Sequence, residues 1–198
     1  MTVDYRIYDQ KFFANTIKLE SSTAKAVVKI LIKNFKPKTV IDIGCGAGIY
    51  LREFQRAKVK ILGYDGSPAA RATSSVGSKI KLHDLCQPLG LKKKFDLCLC
   101  LEVAEHLPAN CANILLKSLT NLSNVIVFTA ATLGQGPISI GHINEQPHQY
   151  WINKFKKYQF NLEKNLTRNL RKEMEKKKVV WWISKNLMIF IKNEQEKI

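Results

Sequence analysis

The stretch TVIDIGCGAGIY, residues 39–50, constrains this chain more than any other. A short β-branched, apolar run stops at Gly44, Gly46 and Gly48, and a helix-forming segment follows through about Ala57. Such a run reads as a buried strand. Glycine permits a tight turn and close approach of the backbone to a ligand, and the helix N-terminus beyond it offers free N–H groups to an anionic group. The same rhythm then repeats. VKILGYD is a second strand, and SPAARA opens a second helix with Pro68 in its first turn. SKIKLHDL holds a third strand, KKFDLCLCL is the fourth, and NVIVFTA is the fifth. Pro108 begins a helix with Cys111, Leu115, Leu119 and Leu122 on one face. Upstream, Ala24, Val27, Val28, Leu31 and Phe35 recur at helical spacing, so an amphipathic helix is expected over about residues 17–35, ended by Pro37. Leu162, Leu166, Leu170 and Met174 are four apart and read as one further helical stripe, and NLMIFIKN reads as a last strand. Strands alternating with helices imply an α/β fold, a parallel sheet covered on both faces.

The 198 residues suit one domain with a substantial core, and 45% hydrophobic content argues against disorder. No apolar stretch is long enough to span a bilayer. The first residues, MTVDYRIYDQKFF, lack the pattern of a signal peptide, so a cytoplasmic location is expected. Five cysteines without a C-x-x-C pair then read as reduced, mostly buried thiols. The net charge of +16 points towards an anionic partner, but lysine supplies 26 of the 32 basic residues. Arginine, the residue suited to bidentate phosphate and base recognition, is scarce, which weakens the case for nucleic acid. Between Lys154 and Lys178 ten Lys or Arg face three Glu, a net +7 that reads as a solvated basic face. Residues 132–149, TLGQGPISIGHINEQPHQ, break the pattern as a long loop after the fifth strand, on the sheet edge where α/β folds bind ligands.

The glycine loop departs from the dinucleotide fingerprint G-x-G-x-x-G, because Ile49 stands at its final position. With Asp42 two residues before the first glycine, it resembles motif I of the class I S-adenosylmethionine-dependent methyltransferases, a resemblance that runs from Thr39 to the chain end. It implies a Rossmann-like, mostly parallel seven-stranded sheet. Residues 37–198 would form the S-adenosylmethionine-binding domain, and residues 1–36 a helical segment packed on it. The resemblance also implies roles. The loop of Gly44, Cys45, Gly46 and Gly48 would hold the methionine part of S-adenosylmethionine, with Asp42 ordering it and helping to bind the amino group. Asp65, beside Gly66 and Ser67, would grip the ribose hydroxyls, which suits a carboxylate able to accept two hydrogen bonds. Asp84 would contact the adenine amino group with Leu85 beside it, and Leu101 closes the cofactor set at the end of the fourth strand. A single acid at a strand end is a common turn residue; three at the family's spacing are not.

The fourth strand runs into LEVAEH, which places Glu102, Glu105 and His106 at i, i+3 and i+4. One helical turn would bring all three to one side. Two carboxylates and an imidazole suit zinc, manganese or iron, or a mixed site that also takes magnesium. His142 in GHIN is the candidate fourth ligand. The E-x-x-E-H element resembles ubiquinone-pathway O-methyltransferases and the 2′-O-methyltransferases of small-RNA 3′ ends. GHINEQPHQYW is similar to small bacterial-type methyltransferases associated with glycans or secondary metabolites. Two other roles stay open: His106 as a general base with no metal, or first-turn glutamates that merely meet the helix dipole. Tyr5, Tyr8 and His148 are candidates for a lid or substrate mouth, while Tyr150 and Trp151 are expected to pack their helix. Catalysis would then rest on Glu105, His106 and His142. The leading reading is O-methylation of a small-molecule or glycan hydroxyl. The alternatives are an RNA 3′-terminal 2′-O-methyltransferase and a non-catalytic cofactor-binding subunit. No membrane span is expected, and the oligomeric state is open.

Overall fold

A computed structural model describes residues 3–135 and 140–193. Stretch 136–139 of the long loop, with Gly136 and Pro137, lies outside the described residues. Helix α1 (Gln10–Phe35) starts well before residue 17, because the Asp9 side chain accepts from Phe12 N at 2.7 Å and caps it. It ends in a left-handed Lys36 just before Pro37. Then follow β1 (Thr39–Ile43), α2 (Ile49–Arg56), β2 (Lys60–Asp65), α3 (Pro68–Thr73) and β3 (Ile80–Leu82). After the crossover come β4 (Leu97–Leu101), α4 (Ala112–Leu122) and β5 (Val125–Thr129). The C-terminal part is α5 (His148–Lys156), β6 (Phe160–Leu162), α6 (Lys164–Lys176), α7 (Trp181–Asn186) and β7 (Met188–Lys192).

The sheet order is β3-β2-β1-β4-β5-β7-β6, parallel except for β7, which runs antiparallel to both neighbours. The seven-stranded, mostly parallel α/β architecture is therefore as expected. The chain winds outward from β1 to β3 and then returns to β4, so the order reverses between β1 and β4. The crevice outside these two strand ends is where such sheets bind ligands.

Every residue of β4 is buried, as a strand covered on both faces must be. Cys98 and Cys100 face a layer built with α4 and α5, and Leu97, Leu99 and Leu101 face α1, α2 and α6. Trp151 and Phe155 of α5 are fully buried against Phe128, so the expected packing role of Trp151 holds. Phe155 also stacks on Phe190 at 3.9 Å between centroids.

Two expectations are corrected. Leu162 belongs to β6, not to the helical stripe; α6 buries Leu170 and Met174 with Thr167 instead. The antiparallel return of β7 gives Leu162 a strand partner in Phe190, and pairing overrides the four-residue spacing. The cysteines are not all free thiols. Cys86, after β3, and Cys111, before α4, form a disulfide because the two loops cross with Cα atoms 4.9 Å apart; Cys45, Cys98 and Cys100 are free and buried. Among the described residues no helix is long and apolar enough to cross a membrane.

Phe155→Ala removes a ring that the stack with Phe190 cannot refill. It is expected to cost about 3–5 kcal/mol of stability, read as a lower urea midpoint at unchanged m-value.

Candidate functional site

The loop after β1 takes its shape from the glycines. Gly44 has φ +76°, and a Cβ there would lie 2.4 Å from a Val103 methyl. Gly44 N and Cys45 N both donate to the Tyr64 carbonyl, at 2.8 and 3.1 Å, which turns the loop away from the sheet. Asp65, at the end of β2, fastens the two neighbouring loops together: Oδ2 accepts from Gly46 N at 2.8 Å and Oδ1 from Ser67 N at 2.9 Å. Ser67 in turn caps α3 and donates to the Tyr8 carbonyl at 2.7 Å.

These loops form one wall of a cleft of about 700 Å³, lined by Asp42, Gly44, Cys45, Gly46 and Leu101 on the sheet side. Glu102, His106 and His142 line the same cleft. Asp65, Gly66, Ser67 and Leu85 line an adjoining pocket of about 120 Å³, closed by Tyr5, Tyr8 and Phe12 of the N-terminal segment. Tyr5 packs against Gly66, where any Cβ would meet its ring at 2.5 Å, and its hydroxyl donates to Asp84 Oδ1 at 3.4 Å.

Three sequence candidates stand apart. Gly48 lines neither space; its φ of +70° starts α2, and a Cβ would strike Val76 at 2.8 Å, so packing requires it. Asp84 is exposed at the rim. His148 does not line the cleft but a shallow groove with Arg168, Arg171 and Lys172, because α5 begins at His148 and carries it away.

At the end of β4 the chain makes a 3-10 turn over Ala104–His106. Glu105, His106 and His142 each bring one donor atom into a group within 4.8 Å. Glu102, the fourth member of the expected set, is not in that group, although its carboxyl is hydrogen-bonded to that of Glu105. Its backbone is left-handed (φ +53°), and its carboxylate meets Asn186 Nδ2 at 3.2 and 3.4 Å. Left-handed geometry at Glu102 breaks the single helical turn that i, i+3, i+4 spacing assumed.

Glu105 is fully buried. Its Oε1 accepts from Ala131 N at 3.0 Å, and its backbone carbonyl accepts from Ile143 N and Asn144 N at 2.9 and 3.0 Å. Its Oε2 is buried with no hydrogen-bond partner. His106 Nδ1 lies 2.9 Å from the Tyr8 hydroxyl and 3.2 Å from the Gly141 carbonyl. A carbonyl only accepts, so Nδ1 carries the proton and Nε2 keeps its lone pair. His142 Nδ1 sits 2.8 Å from Glu145 Oε1, which likewise leaves His142 Nε2 free.

Burial sets the electrostatics. It pushes the Glu102 carboxyl up to about 7. Burial and the neighbouring Glu102 raise Glu105 well above the ordinary carboxylate range. Burial and then His142 push His106 down to about 4, so its imidazole is neutral at pH 7. Burial and then Asp65 push Asp42 up to about 7.

Several lining groups were not foreseen from sequence: Phe12, Thr16 and Glu20 of α1, Tyr50, and Trp181 and Trp182 of α7. Phe12, Thr16 and Glu20 lie at i, i+4 and i+8, a visible signal once α1 is known to start at Gln10.

A glycine loop after β1 and an acid at the end of β2 occur in dinucleotide-binding folds as well; the sheet order β3-β2-β1-β4-β5-β7-β6, with β7 alone antiparallel, is the class I methyltransferase architecture. Residues 16–165 match the family described as a methyltransferase domain, and the chain belongs to that family. Over 73 residues it is 33% identical to the ubiquinone biosynthesis O-methyltransferase of Rhodopseudomonas palustris (strain BisA53), covering 34% of this chain and 29% of that protein. The match thus spans less than a third of that relative's length. A DhpI–SAH complex structure superposes with TM-score 0.62 at 14% identity, covering 80% of this chain and 85% of that one. A chain from the complex of the Haloferax volcanii Trm112 methyltransferase activator with a methyltransferase gives TM-score 0.64 at 14% identity, covering 92% and 94%. At these identities the structural likeness is one of fold.

Asp42 yields a pH signature. Its folded pKa lies above the unfolded value, so between about pH 4 and 7 the native state holds a proton that the unfolded chain has lost. This contribution to stability is lost as pH rises through that window. The stability of wild type relative to Asp42→Asn is expected to fall by roughly 4 kcal/mol from pH 4 to 8, levelling above about 7. Denaturant titrations of both proteins at pH 4, 6 and 8 without ligand check it.

Proposed function

We propose that this chain transfers the methyl group of S-adenosylmethionine to a hydroxyl of a small molecule or sugar, with a divalent metal ion held by Glu105, His106 and His142. The observation that carries the metal reading is the orphaned, buried Glu105 Oε2 grouped with two imidazoles whose Nδ1 atoms are already engaged. A buried carboxylate oxygen is costly; a proton shared with the neighbouring Glu102 carboxyl lowers the cost, and a dication that displaced that proton would lower it too. A Gly141 carbonyl and a Glu145 carboxylate behind the rings are the outer-shell partners that metal-binding histidines use. Two imidazoles and one carboxylate suit zinc, iron or manganese better than magnesium. A divalent ion, when bound, acidifies a hydroxyl and stabilises its anion.

On the donor side, Asp42, Gly44, Cys45, Gly46 and Leu101 are assigned to the methionine part, and Asp65, Gly66, Ser67 and Leu85 to the nucleoside, with Asp84 at the rim. S-adenosylmethionine, when bound, supplies an electrophilic methyl on sulfur. Each Asp65 oxygen spends one lone pair on a backbone N–H and keeps another for a ribose hydroxyl. Tyr5 and Tyr8 act as a lid: the first covers Gly66, and the second bridges the lid to His106. Holding donor and acceptor in line is the larger part of such catalysis. His106, neutral at pH 7, is oriented by Tyr8 and Gly141 to serve as ligand, or as general base where no metal takes part. An RNA 3′ end as acceptor draws less support, since no Lys or Arg lines the cleft among the described residues.

Asp65→Ala removes a carboxylate that serves both loops. It is expected to weaken S-adenosylhomocysteine binding more than about a hundredfold by calorimetry; unchanged affinity would sink the nucleoside assignment.

Excess EDTA is expected to stop methyl transfer to a panel of phenols and sugars while S-adenosylhomocysteine still binds, with zinc or manganese restoring turnover. Glu105→Gln keeps the acceptor for Ala131 N but loses the ionisable oxygen, and is expected to bind cofactor normally and transfer no methyl. Full turnover in EDTA would leave His106 as a base and remove the metal.

A further inference from the structure

Four residues that line the cleft belong to neither the donor assignment nor the metal group. They are Glu20 of α1, Tyr50 of α2, and Trp181 and Trp182 of α7; Glu20 is within reach of both Trp182 and Tyr50. The two indoles stand edge to face, with centroids 5.8 Å apart and planes at 85°, and form an aromatic corner. Trp181 is half exposed. The Tyr50 hydroxyl is buried and has no hydrogen-bond partner among the described residues.

The charge pattern is unusual for this chain. With 32 Lys and Arg in the sequence, none lines the cleft among the described residues, while Glu20, Asp42 and Glu102 do. Asp42 and Glu102 have uses in the loop and at the β4 end. Glu20 meets the Trp182 indole N–H, and no Lys or Arg pairs with it among the described residues. Burial pushes its carboxyl up to about 7, and the Trp182 indole N–H draws it part of the way back. An anionic acceptor group would meet a like charge here with no cation to offset it. A protonated amine would restore the ionised carboxylate and rest against indole faces, which attract cations.

We propose that Glu20, Tyr50, Trp181 and Trp182 form an ammonium-recognition subsite that selects acceptors with an apolar, ring-bearing body and a protonated amine remote from the reacting hydroxyl. This rests on the methyltransferase reading and adds to it the acceptor's chemical class. Glu20 pairs with the ammonium, the indoles flank it, and the Tyr50 hydroxyl takes the remaining hydrogen bond.

The test uses three phenols with the same ring and different tails: tyramine, 4-(2-hydroxyethyl)phenol and 3-(4-hydroxyphenyl)propionate. Each is titrated at pH 8 into the full chain saturated with S-adenosylhomocysteine, by calorimetry and by quenching of tryptophan fluorescence. Tyramine is expected to bind about tenfold tighter than the alcohol, with the propionate weakest. Glu20→Gln is expected to erase the tyramine advantage and leave S-adenosylhomocysteine affinity unchanged. Equal affinity for the three probes, no saturable tyramine binding, or a matching loss of S-adenosylhomocysteine affinity in Glu20→Gln would each overturn the subsite. The three-probe series on wild type decides the point even if the variant misfolds. Failure of wild type to bind S-adenosylhomocysteine at all would overturn the methyltransferase reading, and the subsite with it.

Discussion

The site depends on one buried residue, Glu105. Its backbone carbonyl accepts two N–H groups from the loop after β5, and its carboxylate accepts a third from Ala131. These three bonds tie the β5 exit to the β4 exit. Asn144 tightens the seam by donating to the Ala104 carbonyl at 3.3 Å. His142, two residues upstream, is thereby carried against His106, with ring centroids 4.7 Å apart. A buried carboxylate that holds backbone with one oxygen and leaves the other unpaired combines a structural anchor with a reactive position. Such unsatisfied groups are rare in native interiors.

The second organising feature is a separation of charge. The chain carries a net +16, yet no Lys or Arg lines its cleft among the described residues; its acids and imidazoles stand among apolar and aromatic side chains. Lysines sit on the outer faces of α1, α5 and α6, where water solvates them. The overall charge is therefore a property of the surface, and the acids that line the cleft are pushed up by burial.

The N-terminal segment completes the enclosure. α1 packs on α2 and α3, and its Phe13 ring lies 3.2 Å from where a Cβ on Gly46 would stand. Tyr8 reaches His106, and Tyr5 reaches Asp84. One continuous segment thus touches the glycine loop, the β2 and β3 exits and the β4 turn. The pocket beside Asp65 and Ser67 therefore has Tyr5 and Tyr8 as part of its wall.

Much of this was legible from local chemistry. The parallel sheet followed from apolar runs alternating with helical spacing, and the glycine loop, Asp42, Asp65 and the Glu105–His106 pair were marked by strand ends and by family resemblance. Those signals are local: period, turn chemistry and the position of an acid after a strand. What they did not carry was contact between distant segments. The left-handed backbone of Glu102 sends its carboxylate to Asn186, 84 residues away in sequence. α5 takes His148 out of the cleft, and loop crossing joins Cys86 to Cys111. Glu20 and Trp182 meet at one cleft only because α1 and α7 pack beside the same strand ends. Sequence by itself determined the sheet, the glycine turn and the residue types at its edge, because hydrophobic period and backbone freedom act within a few residues. Only the tertiary structure decided which carboxylates and imidazoles share a site, because that depends on where the exits of separate strands are tied together.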